Sequence, residues 1–158
     1  MNIEFKQLYE INKSEIIDLM NNPLVRRHMP LSTAFDEKAY NEFLLAKKQL
    51  WETHGYGPWA FVVDGKFAGW GGLQYEQGDA DLALVLHPNY WGVGKAIYKE
   101  IINKAFSEMG LASVTILFPP SRVRIKGLFH LNFEPDGEVE IQGSRFLRYR
   151  LYAPLKPS

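Results

Sequence analysis

The sequence contains no cysteine, which excludes disulfides and thiolate metal sites and suits a reducing compartment. It also has no net charge, eighteen basic residues standing against eighteen acidic ones. No broad positive field is available to hold nucleic acid or an anionic membrane, so any anion site has to be local. No apolar run is long enough to span a bilayer. The opening stretch "MNIEFKQLYEINK" is charged and alternating where a signal peptide would be apolar. The cytoplasm is the expected location. Histidine is scarce, and no two of the four stand at metal-ligand spacing, so no metal is expected. Repeats, low-complexity tracts and linkers are missing too, and residues 1–158 are read as one domain.

What is present is ample material for a core. With 46% hydrophobic and 14% aromatic residues, the chain reads as globular, able to bury roughly 70% of the surface its unfolded form exposes. "IEFKQLYEI" alternates like an edge strand, and "NKSEIIDLMNN" reads as a short helix before Pro23. "PLVRRHMPLSTAF" is expected as a loop. From Asp36 to His54 an apolar stripe at Tyr40, Phe43, Leu44, Leu50 and Trp51 predicts a helix ended by Gly55. Three antiparallel strands follow to Leu86, with turns at "DG" and "QGD". A helix is expected from about Trp91 to Met109, then the strand "ASVTILF", a break at Pro119 and Pro120, and a helix over Ser121 to Leu131. A hairpin of "FEPDGEVEI" with "SRFLRYRLY" closes the chain. The class is α+β with one βαβ crossover.

That crossover contains "HPNYWGVGKAIYKEI", residues 87–101. Gly92, Gly94 and Ala96 let the backbone approach a ligand, and the helix start beside them offers unpaired N–H groups and a positive dipole end. The combination suits an anion, most often phosphate. A dinucleotide fingerprint needs a third glycine where Ile97 stands, with an acidic residue after a second strand, and both are missing. A P-loop needs a hydroxyl where Ala96 stands and a glycine at the place of Asn89.

A third pattern fits. The acetyl-CoA pyrophosphate loop R/Q-x-x-G-x-G/A is matched at its small positions by Trp91-Gly92-Val93-Gly94-Lys95-Ala96. On this loop and on its order of elements, the chain resembles the GNAT acetyltransferase superfamily. It is most similar to the branch holding the ribosomal-protein N-terminal acetyltransferases, whose P-x-Y-W-G-x-G-x-A pattern is matched by Pro88, Tyr90, Trp91, Gly92, Gly94 and Ala96. The resemblance implies a mixed, mostly antiparallel sheet flanked by helices. Within it, "DLALVL" parts from the parallel strand "SVTILF" to form the acetyl-CoA site. The pantetheine arm would then add to the exposed backbone of Leu84 and Leu86. The pyrophosphate would sit on the N–H groups of Gly92 to Ala96, with Lys95 or Lys99 reaching an outer phosphate; a solvated helix face is the plainer reading of those two lysines. Ser121 falls where the family carries a cofactor contact, although a serine after Pro120 is also a good helix N-cap. Leu128 stands where many relatives place a tyrosine general acid.

Acetyl transfer to an amine needs a base, because a protonated amine has no lone pair for attack on a thioester. Asp81 opens the otherwise apolar run "DLALVL" and is the ionisable group expected to be partly buried. The resembled branch often has an acidic residue there. Asp79 and Asp81 solvating the turn "EQGDAD" is the plain alternative. For the acceptor, a small-molecule amine or a protein N-terminus, Arg27 and His28 are candidates to bind an acidic group and Trp70 to form an aromatic wall. A homodimer is compatible with the sequence. So is a non-catalytic module that binds acyl-CoA or a peptide on the same fold.

Overall fold

A computed structural model of the chain describes residues 1–27, 33–120 and 131–155. Its antiparallel order is set by tight turns. Asp64-Gly65 (φ 49° and 82°) and Gln77-Gly78 (φ 49° and 90°) each place two successive residues in the left-handed region, which suits the right-handed twist of the strands they join. The first turn links strands β2 (Pro58–Val63) and β3 (Lys66–Glu76), and the second links β3 to β4 (Asp79–Leu86). Asp79 is therefore the first residue of a strand, not a turn residue as "QGD" suggested.

The remaining strands are β1 (Ile3–Lys6), β5 (Ser113–Phe118), β6 (Glu134–Ile141) and β7 (Ser144–Tyr152). They form one sheet of seven strands in the order β1-β2-β3-β4-β5-β7-β6, antiparallel except for β4 against β5. Helices α1 (Lys13–Asn21), α2 (Pro23–Arg26), α3 (Glu37–His54) and α4 (Gly94–Asn103) flank it. β2 shows why both faces are covered. Trp59, Phe61 and Val63 pack with Ile97 and Ile101 of α4, while Ala60 and Val62 pack with Ile16, Leu19 and Met20 of α1. Ile97, Ile101 and Ala105 recur every four residues and are wholly buried, so one stripe of that helical run seals its face of the sheet.

Two helix boundaries differ from the expected ones. Pro23 ends α1 and starts α2, since proline suits the first helical position, and the Asn22 side chain accepts the N–H of Leu24 at 2.9 Å. "PLVR" is thus a helical turn and not loop. The helix expected from Trp91 begins at Gly94. Pro88–Val93 instead form a 3-10 turn, its start held by the Asn89 N–H donating to His87 Nδ1 at 3.1 Å. After α4, Lys104–Glu108 widen into a π turn. The helix expected over Ser121 to Leu131 lies, through residue 130, outside the described residues.

Only one register pair joins β4 to β5, Asp81 with Thr115. One guanidinium clasps the strands together on the Asp79 side of that pair. Arg150 of β7 donates to both carboxylate oxygens of Asp79 (2.9 and 3.0 Å), to Asp136 of β6 (2.8 Å) and to Ser113 Oγ of β5 (2.8 Å). Arg148 adds a 3.0 Å contact to Asp136. The Asp136 carboxyl is held below the usual aspartate range, first by its hydrogen bond from Arg150. A depressed carboxylate contributes stability that is present above its unfolded value near 4 and lost as pH falls through its folded value. Arg150→Met is expected to lower unfolding stability by about 1–2 kcal/mol at neutral pH, the partial exposure of the partners screening the pair. In urea titrations the deficit should shrink below about pH 4. A deficit independent of pH would show that the clasp acts by packing alone.

Candidate active site

The hydrogen-bonding phase of β4 follows from one contact. His87 N–H donates to Ala68 O at 2.8 Å, in line with the Leu86–Gly69 register. The odd residues Asp81, Ala83 and Val85 therefore exchange their bonds with β3, and the N–H and C=O groups of Leu82, Leu84 and Leu86 point toward β5. Because β5 keeps register with β4 only at Asp81, the backbone groups of Leu84 and Leu86 face the opening gap. Trp91 stands at the mouth of this gap, 51% exposed, and its indole N–H donates to Leu86 O at 3.0 Å. The Leu86 carbonyl thus has a protein partner, while its N–H is still directed into the gap.

The glycines beyond the strand are not demanded by the fold. Neither Gly92 nor Gly94 has a positive φ. A Cβ built on Gly92 meets nothing within 4 Å, and one on Gly94 meets Leu84 and Leu86 at 3.5 and 3.7 Å, which is ordinary contact. Backbone strain and protein packing both fail to explain the pair, so the space above Gly92 suits a ligand that must lie against the main chain. Val93 and Ala96 are half-buried and Lys95 is exposed at the start of α4. Ser121 lies outside the described residues.

Asp81 sits where the two strands part, its carboxyl sharing a face of the sheet with α1 and α3. Thr115, 1% exposed, donates its hydroxyl to Asp81 Oδ1 at 2.9 Å. Burial pushes the Asp81 carboxyl up to about 7; the Thr115 bond opposes the shift, and Glu76 and Asp79 add to it. Asp79 has a different role, as the anion in the Arg150 clasp. Across the ladder from Asp81 lies Gln74. Of the acceptor candidates, Arg27 is exposed at the end of α2, and His28 lies outside the described residues. Trp70 is not an open wall. It is 5% exposed, its N–H directed at Met20 Sδ (3.3 Å) and its ring packed edge-on against Phe43.

The sequence model of the acetyltransferase (GNAT) domain matches residues 7–123. The chain belongs to the GNAT acetyltransferase family. It is an acyltransferase, with acetyl-CoA as cosubstrate. Solved structures of similar fold include an N-acetyltransferase, PseH, from Campylobacter jejuni in complex with acetyl coenzyme A. It has 20% identity and a TM-score of 0.69, and the match covers 96% of this chain and 99% of that one. A ribosomal-protein-alanine N-acetyltransferase from Brucella melitensis matches at 15% identity and TM-score 0.69, over 96% and 99% of the two chains. A GNAT-family acetyltransferase from Bacillus anthracis matches at 13% and 0.73, over 96% and 95%. A comparison with curated protein sequences finds no match.

Two residues of this acetyltransferase's candidate site went unremarked in the sequence. Thr115 had a signal, being the polar residue inside the apolar run "VTILF". Lys47 had none, since a lysine on an amphipathic helix reads as solvated; it lies over Trp70 and donates to Gln74. Asp81 yields two expected outcomes. Its raised value means that the folded state keeps a proton which the unfolded chain releases above about pH 4. Stability should therefore fall as pH rises from there through about 7. Asp81→Asn removes that penalty, so the variant should melt above the wild type at pH 8 and close to it at pH 4. Thr115→Val removes the bond that lowers Asp81, so the carboxyl titration followed by NMR should move above its wild-type midpoint. An unmoved midpoint would deny the coupling.

Proposed function

We propose that the enzyme transfers the acetyl group of acetyl-CoA to a primary amine, on a small molecule or at a protein N-terminus, by direct attack with Asp81 as base. The observation that carries this reading is the coincidence of three features at one place. The strands part there, a carboxyl with a value near 7 stands at the parting, and a half-buried main-chain edge runs from it to the Gly92–Ala96 loop. From Asp81 to Leu86 that edge is about 16 Å long.

In this account the loop of Trp91, Gly92, Val93, Gly94, Lys95 and Ala96 holds the pyrophosphate at the start of α4 through the N–H groups the fold leaves open, that of Gly94 being already donated to Trp91 O. A glycine backbone allows close approach there, and the helix dipole favours negative charge. Leu84 and Leu86 pair with the pantetheine amides as a strand would. Ser121 is retained as a cofactor contact, and Arg27 and His28 as acceptor contacts, on the resemblance alone. Trp70 shapes the acceptor side through what packs on it. The incoming ammonium gives its proton to Asp81, directly or through a water, and its nitrogen lone pair attacks the thioester carbonyl. The N–C bond forms, the nitrogen sheds its second proton to solvent as the tetrahedral adduct collapses, and the C–S bond breaks; the CoA thiolate leaves and is protonated from solvent, to which Asp81 also returns its proton. A base whose value lies near the working pH serves this step well, because it is ionised in a useful fraction yet strong enough to take the proton.

Calorimetry with CoA tests the cofactor half. Binding should raise the melting temperature by mass action. Gly92→Glu should abolish it while keeping the fold, since the added side chain enters open space and puts a like charge in the phosphate cradle. Gly92→Ala should be mild. A wild type that ignores CoA overturns the site. Steady-state kinetics test the base. Wild-type kcat should rise with pH along an acidic limb centred near 7. Asp81→Asn should keep CoA affinity, lose the limb and fall roughly a hundredfold or more, the usual scale of a general-base contribution. A variant with intact kcat would leave the amine to arrive already deprotonated from solution.

A further inference from the structure

Lys47 occupies an unusual place for a lysine. Its Nζ lies 4.9 Å from the Trp70 ring centroid and 5.4 Å from that of Phe43, and it donates to Gln74 Oε1. Burial lowers its ammonium to about 8. Among the described residues no carboxylate lies within ion-pair distance of it; the pairs made by α3 belong to Glu37 with Lys13 and to Lys48 with Glu52. Ring faces and one neutral amide oxygen are poor compensation for a desolvated cation. Such a group is retained at a cost to stability, which makes it a candidate for function when it lies beside a reaction centre.

The ladder puts it there. Gln74 is the partner of Asp81 across β3 and β4, in a hydrogen-bonded pair whose Cα atoms stand about 5.5 Å apart. Both side chains leave the sheet on the α1 and α3 face, opposite α4. Gln74 thus sets Lys47 on the face of the sheet that carries the candidate base, one ladder pair away from it. An acceptor that reaches from Asp81 along this face meets, at its far end, a positive charge that no carboxylate of the described residues pairs with. An acceptor that carries its own anion restores the balance. Once that anion is paired, the nearby lysine also favours loss of the amine proton.

We propose that Lys47, positioned by Trp70 and Gln74, is the anion subsite of the acceptor pocket, and that the enzyme's acceptors are amines bearing a carboxylate within a few atoms of the reacting nitrogen. This rests on the acetyl-transfer reading and narrows its substrate class. The carboxylate has two sources, a free amino acid or an acidic side chain at a peptide N-terminus, and the shared chemistry is what Lys47 recognises.

The test compares matched pairs by thiol release: glutamate against its diamide, and a tetrapeptide beginning with Asp against the same peptide beginning with Asn. In at least one pair the acid should exceed its amide in kcat/KM by roughly tenfold or more, the range expected for a charge-assisted hydrogen bond. The pair that does so names the source. Lys47→Met should bring that ratio to near one, mainly through KM, and Lys47→Arg should keep part of it. CoA calorimetry on each variant verifies the fold. Equal turnover of acid and amide by the wild type, or a Lys47→Met loss that is the same for both, would overturn the proposal and leave Lys47 as a packing cation. If no amine is turned over although CoA binds, the transfer reading fails. The same pairs are then compared by calorimetry in the presence of CoA, where an acid that binds no tighter than its amide overturns the subsite as well.

Discussion

Everything in this molecule that bears on chemistry depends on a strand pair that stops being a pair. β4 and β5 are parallel neighbours that keep register at Asp81 and Thr115 alone. A sheet interrupted this way leaves main-chain donors and acceptors without a strand, a cost that native folds bear only where something else covers the edge. Here the interruption is bounded. Arg150 binds β4, β5 and β6 together on the Asp79 side of the contact, and Trp91 bonds the last carbonyl of β4 at the opposite end. Between these limits the phase of β4 directs Leu84 and Leu86 into the gap.

The same parting explains how one strand serves two faces. Even residues of β4 point their side chains to α4, where Leu82 and Leu86 join the larger core. Odd residues point to α1 and α3, where Val85 packs near Trp70 and Asp81 meets Thr115. A ligand on the even backbone groups and an acceptor on the odd side chains can therefore meet at Asp81 without crossing the sheet. The raised value of Asp81 is a product of this geometry, since its carboxyl is desolvated where the strands part and, among the described residues, a single hydroxyl donates to it.

Much of this was legible in the sequence, for identifiable reasons. The Asp64-Gly65 turn, the stripe of α3 and the glycine loop are local signals, each decided within a few residues. Asp81 stood out because it is an acid at the head of an apolar run. The start of α4 was misjudged because Pro88 and two glycines allow either a 3-10 or an α turn, and tertiary contacts decide between them. Asp79 read as a turn residue because its partner Arg150 is distant in sequence. Thr115 and Lys47 matter through neighbours that only the strand order supplies, Asp81 in the first case and Gln74 with Trp70 in the second. Such pairings are invisible to periodicity. Membership of the acetyltransferase family was legible from the loop and the order of elements, whereas the acceptor side was not.

The central claim is that the even-numbered backbone groups at the end of β4 await a ligand strand, and residue-resolved amide hydrogen exchange reads this directly. With CoA added, the N–H groups of Leu84 and Leu86 should become strongly protected, while those of Ala83 and Val85, already bonded to β3, should change little. Protection of the odd residues alone, or no change at Leu84 and Leu86 under saturating CoA, would contradict the account.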